Sequence, residues 1–157
     1  MKCKSLIGIL LVLVALSSCS SSSHIENLIN TSKVVVLMEK MGCFGSCLSY
    51  ELMIFEDGTV VYTGKYFVEV EGIVKYSIPK EDVQELVDFF YEIDFFSMDD
   101  SYWASVTDSP STTITITIND DFKSVYIYGW QGPESLFELE EKIDEIALTS
   151  DLIGKDD

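Results

Sequence analysis

Two cysteines four positions apart, Cys43 and Cys47, lie in the run Gly42-Cys43-Phe44-Gly45-Ser46-Cys47 and are the folded residues best suited to chemistry. Three chemistries fit them. A separation of four allows the Cα distance of a turn, which is compatible with a disulfide, and Gly42 and Gly45 supply the backbone freedom that so tight a loop demands. By the loop-entropy model a ring this small contributes only about 2 kcal/mol. A redox-active pair would instead need one thiol of lowered pKa, usually from a helix N-terminus or a nearby cation. Copper is the third possibility, because Met38 and Met41 precede the pair and thiolate with thioether suits Cu(I). The residues after Cys47 read as a strand, not a helix, so a structural bridge is the leading expectation. Structural zinc would need four ligands, more than two cysteines supply.

A further cysteine points to covalent lipid. Met1 to Ser5 is short and cationic, and Leu6 to Leu16 is an apolar run without a charge. It falls short of the roughly 20 residues a spanning helix needs and matches a secretory signal. Leu16-Ser17-Ser18-Cys19 then resembles a lipobox. That resemblance implies cleavage before Cys19 and lipidation of it, with the multi-chain anchoring that one acyl chain cannot give. The expected organisation is a signal over 1–18, a lipidated, serine-rich tether over 19–32, one domain over 33–149 and an acidic tail over 150–157. His24, the only histidine, falls in the tether. Ser20 is not an acidic retention residue, which favours the outer membrane if the cell has one.

Other chemistry is sparse. A Ser-His or Cys-His nucleophile needs an imidazole, and the expected domain has none. No glycine-rich phosphate loop with a following lysine occurs. With 27 acids, close carboxylate pairs are inevitable and carry little information about glycoside chemistry. Asp99, Asp100 and Asp108 cluster in one polar segment and could hold calcium, though without EF-hand spacing. Tyr102 and Trp103 share that segment, and aromatic residues are enriched at interface hot spots. Asp100, Tyr102, Trp103 and Asp108 are therefore the expected partner-facing residues. No catalytic residue, metal or cofactor is assigned.

Charge narrows the partners. The chain has ten lysines, no arginine and a formal net charge of −17, and loss of Lys2 and Lys4 with the signal would make the balance more negative still. Such a field repels nucleic acid and anionic head groups. Its ordinary meaning is a solvated surface.

The elements that must position these residues read as one α+β domain. Val34 to Leu37 is a β-branched apolar run. Leu48–Phe55 and Thr59–Thr63 flank Asp57-Gly58, a type I′ hairpin signal. Glu71-Gly72 separates Tyr66–Val70 from Ile73–Ile78. Pro79 then suits a first helical position, with Val83, Leu86, Val87 and Phe90 on one face. Asp99 to Ser111 reads as irregular. Thr112–Ile118 alternates threonine with isoleucine, the pattern of a half-buried strand, and Phe122–Tyr128 follows a turn. Gly132-Pro133 opens a last helix with Leu136, Leu139, Ile143 and Ile146 inward. The expectation is an antiparallel sheet of five to six strands in ββββαββα order, with two helices on one face.

The run from Gly42 to Cys47, Tyr50-Glu51-Leu52 and Asp57-Gly58-Thr59-Val60 resembles a bacterial family known only as a domain of unknown function. The likeness continues through Gly64-Lys65, Asp94-Phe95-Phe96, Asp100-Ser101-Tyr102, Thr107-Asp108, Pro110 and Tyr128-Gly129, and covers roughly Val34 to Ile146. It implies a small exported protein, often a lipoprotein, and brings no activity with it. Leu48 departs from that family's pattern, where proline commonly follows the second cysteine. Copper-delivery proteins of the Sco type carry a similar Cys-x-x-x-Cys, but with a helix after it and a distant histidine ligand, which the expected domain lacks. The expected function is a non-catalytic binding or structural module of the cell envelope, held to a membrane by lipid and facing an unidentified envelope protein or ligand. The alternative is a thiol-redox or copper protein using Cys43 and Cys47.

Overall fold

The computed structural model describes residues 33–119 and 121–154. The expected signal, Cys19 and the expected tether lie outside them. Alternation in the sequence becomes a seven-stranded mixed sheet: β1 (Val34–Met41), β2 (Ser49–Phe55), β3 (Thr59–Tyr66), β4 (Gly72–Ser77), β5 (Ser101–Trp103), β6 (Ser111–Ile118) and β7 (Asp121–Tyr128). Their spatial order is β4-β3-β2-β1-β6-β7-β5. Every pairing is antiparallel except β5 with β7. The helices are α1 (Lys80–Glu92), α2 (Glu134–Ile146) and the short α3 (Ser150–Ile153), with a 3-10 turn at Phe95–Ser97.

One face of the sheet is buried. Val36 and Met38, Tyr50, Leu52 and Ile54, Val60 and Tyr62, Ile114 and Ile116, and Val125 and Ile127 point to it from five strands, two residues apart as the pleat requires. They join one core with Val83, Leu86 and Phe90 of α1 and Leu136, Leu139 and Ile143 of α2. Each of these side chains contributes on the order of 1.5–3 kcal/mol by leaving water. Val87 and Ile146, also expected inward, are half-buried beside that core.

The α+β class is as expected, but the strands differ from it in three places. β1 runs to Met41 because Glu39 and Lys40 continue its alternation; two charges had made the strand look finished at Leu37. Tyr66–Val70 is not a strand beyond Tyr66: the chain turns there, with Phe67 at φ 55°, and pairing resumes at Gly72. The Asp99–Ser111 segment, read as irregular, contains β5. Three residues are too few to show a period, and β5 is held instead by the Tyr126 N–H to the Asp100 carbonyl and the Ala104 N–H to the Tyr128 carbonyl, both 3.0 Å.

The Asp57-Gly58 hairpin also takes another form. Only Gly58 has positive φ, at 86°, and its N–H donates to the Phe55 carbonyl at 2.9 Å. This is a three-residue loop closed by a left-handed glycine, not the two-residue type I′ turn. Asp57 Oδ1 accepts the Thr59 N–H, fixing the turn from within. The Leu152 carbonyl of α3, in the segment read as an acidic tail, accepts the Val70 N–H at 2.9 Å and the Tyr62 hydroxyl at 3.3 Å. Among the described residues no helix is long and apolar enough to cross a membrane.

Candidate functional site at the stapled end of the sheet

β1 and β2 are joined at one end of the sheet by the loop that carries both cysteines. Cys43 and Cys47 are bonded, with their Cα atoms 5.5 Å apart. The bridge turns the chain sharply and thrusts Phe44 outward, where it is 98% exposed. A second loop buttresses the first. The Phe44 N–H donates to Asp108 Oδ1 at 2.5 Å, and Asp108 presents its carboxylate from a left-handed backbone, φ 60°. The next residue is tied back as well, because the Ser109 N–H donates to the Tyr128 hydroxyl at 3.2 Å. Gly129 completes the set: its N–H reaches the Pro110 carbonyl at 2.9 Å. A Cβ on Gly129 would crowd Ala104 and Ser109.

A cleft lies on each side of the stapled loop. One, about 410 Å³, is lined by Gly42, Cys43, Phe44, Asp108, Ser109 and Tyr128. The other, about 320 Å³, is lined by Lys40, Cys47, Pro110, Thr112, Trp130, Phe137 and Glu140 among others. Trp130 stands over it, 82% exposed. Beside Tyr128, Trp103 lies across β7 with its ring centroid 5.1 Å from that of Tyr126 and 5.3 Å from that of Tyr128.

The expected partner-facing residues therefore divide. Trp103 is 62% exposed and faces outward. Tyr102, next to it, is half-buried against the core and accepts the Asp99 N–H at its hydroxyl. Asp100 pairs with Lys123 at 2.6 Å, and Asp108 holds the cysteine loop. Among the described residues no group of three His, Cys, Asp or Glu side chains is clustered to hold a metal ion.

Behind the second cleft sits a polar cluster. Lys40 Nζ lies 3.1 Å from Asp144 and 3.4 Å from Glu140. The fully buried Tyr50 donates its hydroxyl to Asp144 at 2.7 Å, and Thr149 donates to the same carboxylate at 2.8 Å. Thr112 Oγ1 donates to Glu140 at 3.1 Å. Burial opposes the Lys40 charge, but Asp144 and Glu140 outweigh it and hold the ammonium above its ordinary pKa. Burial raises Glu140, against the pull of Lys40. Tyr50 is pushed well above the usual phenol range by burial and then by Asp144. Burial first, and Asp144 second, push Tyr62 and Tyr76 up to about 12. The cluster joins β1, β2 and β6 to α2.

The model of a family described as a domain of unknown function, DUF6438, matches residues 34–147. The chain belongs to that family. A search of curated proteins found no match.

Within this DUF6438 domain, the residues behind the resemblance fall into two groups. Gly58, Gly64 and Phe95 are structural. A Cβ on Gly64 would collide with the Val70 carbonyl, and Phe95 is fully buried against Phe90, edge to face at 4.9 Å. The cysteine loop, Asp108, Pro110, Tyr128 and Gly129 are instead brought together at the stapled end. Sequence reasoning missed Trp130 and the Lys40 cluster. For the cluster a signal existed: Glu140 and Asp144 are one turn apart on α2, the spacing that places side chains on one helix face.

Proposed function

We propose that this chain is an exported protein anchored to the cell envelope by lipid on Cys19, at the outer membrane where the cell has one, and that its DUF6438 domain is a non-catalytic binding module. The observation that carries the reading is Phe44. An aromatic side chain at full exposure is unfavourable in water, yet here it stands on a bridged loop braced by Asp108. A rigid aromatic anchor binds with little ordering cost and is the side-chain type that dominates interface energetics. Trp103 and Trp130 flank the same end of the sheet, so a partner engaging Phe44 meets further apolar surface.

The test places a photoreactive benzoyl-phenylalanine at position 44 in living cells, with position 84 on the exposed side of α1 as control. The expected result is an adduct in the envelope fraction formed from position 44 and not from position 84. No adduct from either position, or equal adducts from both, would contradict the reading.

One observation favours the alternative of thiol or copper chemistry. The disulfide is partly exposed, and Cys47 opens into the cleft that Lys40 also lines. A lysine near a thiol favours the thiolate. Against it, Lys40 is already held by two carboxylates.

A further inference from the structure

The face of the sheet opposite the helices carries a strip with its own chemical character. The buried residues of β6 and β7 alternate with others that point the opposite way. On β6 these are Ser111, Thr113, Thr115 and Thr117, a row of hydroxyls. On β7 they are Phe122, Ser124, Tyr126 and Tyr128, mostly aromatic. The two rows are in register: Ser111 lies beside Tyr128, Thr113 beside Tyr126, Thr115 beside Ser124 and Thr117 beside Phe122. Trp103 widens the aromatic row from β5. Phe122 is 67% exposed and the two tyrosines are half-exposed.

We infer that this strip is a binding surface for a neutral glycan chain, lying along β7 with sugar faces on Trp103 and Tyr126 and sugar hydroxyls on the β6 threonines. The inference rests on the reading of the domain as a binding module and names its ligand class. Three features favour that class. Side chains two apart on a strand repeat at roughly 7 Å, so the aromatic row is linear and suits a polymer. The face of an aromatic ring is the negative part of its quadrupole and attracts the weakly positive C–H groups on the flat side of a pyranose. Each Ser or Thr hydroxyl offers one donor and two acceptor positions, the capacity needed to pair with a polyol in either direction. Thr115 and Ser124 already demonstrate such pairing with each other, at 2.9 Å.

Charge decides between occupants. About a quarter of the chain is charged, yet none of the outward positions of β6 and β7 is. The nearest acid on this face, Glu39 beside Thr113, is already paired with Lys65 at 2.6 Å, so a basic partner would find little free counter-charge there. A second copy would bring its own −17 charge against this one, which opposes close stacking. A neutral ligand loses nothing on either count.

The test is isothermal titration of the full mature lipoprotein, in a detergent without a sugar head group, with cellohexaose and with chitohexaose. At least one should bind saturably. Trp103→Ala should weaken that binding by about tenfold or more, and Phe122→Ala by roughly threefold. Both sites are well exposed, so both variants should keep the wild-type circular dichroism, with Trp103→Ala melting a few degrees lower because its packing on Tyr126 and Tyr128 is lost. If neither oligosaccharide binds while position 44 still forms its envelope adduct, the glycan assignment is overturned and the binding module stands. If neither binds and no adduct forms, both fail. Self-association of the wild type that Trp103→Ala abolishes would make a second copy the occupant and overturn the assignment.

Discussion

Lys40 Nζ and Asp144 Oδ2 lie 3.1 Å apart and join the central strand to the second helix across 104 residues of sequence. The pair is not isolated: Glu140, Tyr50, Thr149 and Thr112 join it, so both carboxylates have protein hydrogen-bond partners. Among the described residues no buried side-chain polar atom lacks a partner.

Lys40→Ala should therefore destabilise strongly, because it leaves two carboxylates facing each other with their cation gone. Removing one member of a fully buried pair costs about 3–5 kcal/mol. The partial exposure of this cluster admits some water, and about 2–3 kcal/mol is expected. Urea unfolding at neutral pH measures it, and a loss under about 0.5 kcal/mol, ordinary for a surface site, would contradict the structural role.

Glu140 gives the domain a pH signature of defined sign. Its folded pKa is raised above the ordinary 4.5, so ionising it is costlier in the folded state than in the unfolded one. The stability it contributes is complete below about pH 4.5 and is lost as pH rises through the folded value. Relative to the permanently neutral Glu140→Gln, the wild type should lose ground from pH 4 to pH 7. Paired melting curves across that range check this, and a wild-type advantage that grows with pH would refute it.

The disulfide is expected to behave as a staple. Cys43→Ser with Cys47→Ser should cost about 2 kcal/mol, the loop-closure value for so small a ring, without loss of the fold. The bridge should be poised below about −300 mV, the range of structural bridges. Mass spectrometry of alkylated thiols in graded redox buffers measures the potential. A value above about −200 mV, or stoichiometric Cu(I) on the reduced protein, would favour thiol or copper chemistry instead.

Much of this architecture was legible because it depends on local periodicity. Thr112–Ile118 announces its buried face at every second residue, and Leu136, Leu139 and Ile143 announce theirs at helical spacing. The cysteine pair was legible from its spacing of four and from the lipobox resemblance at Cys19, which set that cysteine apart from it. β5 was not, because its three residues are held by backbone bonds to β7 that leave no mark on side-chain pattern. The extension of β1 through Lys40 was hidden for a related reason. A lysine in a strand reads as an end until its carboxylate partners on a distant helix are known. Likewise, Asp108 was picked out as a partner-facing acid, and only the fold shows its carboxylate holding the Phe44 amide.

The proposed lipid anchor has a direct readout of its own. Cys19→Ala should abolish incorporation of labelled palmitate and release the protein from the membrane fraction; labelling that persists in the variant would contradict lipidation at Cys19.

The central claim is that the stapled end of the domain recognises an envelope component. Its most direct measurement is retention of the solubilised mature protein on delipidated envelope material, wild type against Phe44→Ala with Trp103→Ala. Both side chains are well exposed and lie outside the core, so the double variant should stay folded, losing only the packing of Trp103 on Tyr126 and Tyr128, about 1–2 kcal/mol. The account predicts saturable retention of the wild type and a loss of about tenfold or more in the double variant. Equal retention of the two proteins, or none of either, would contradict it.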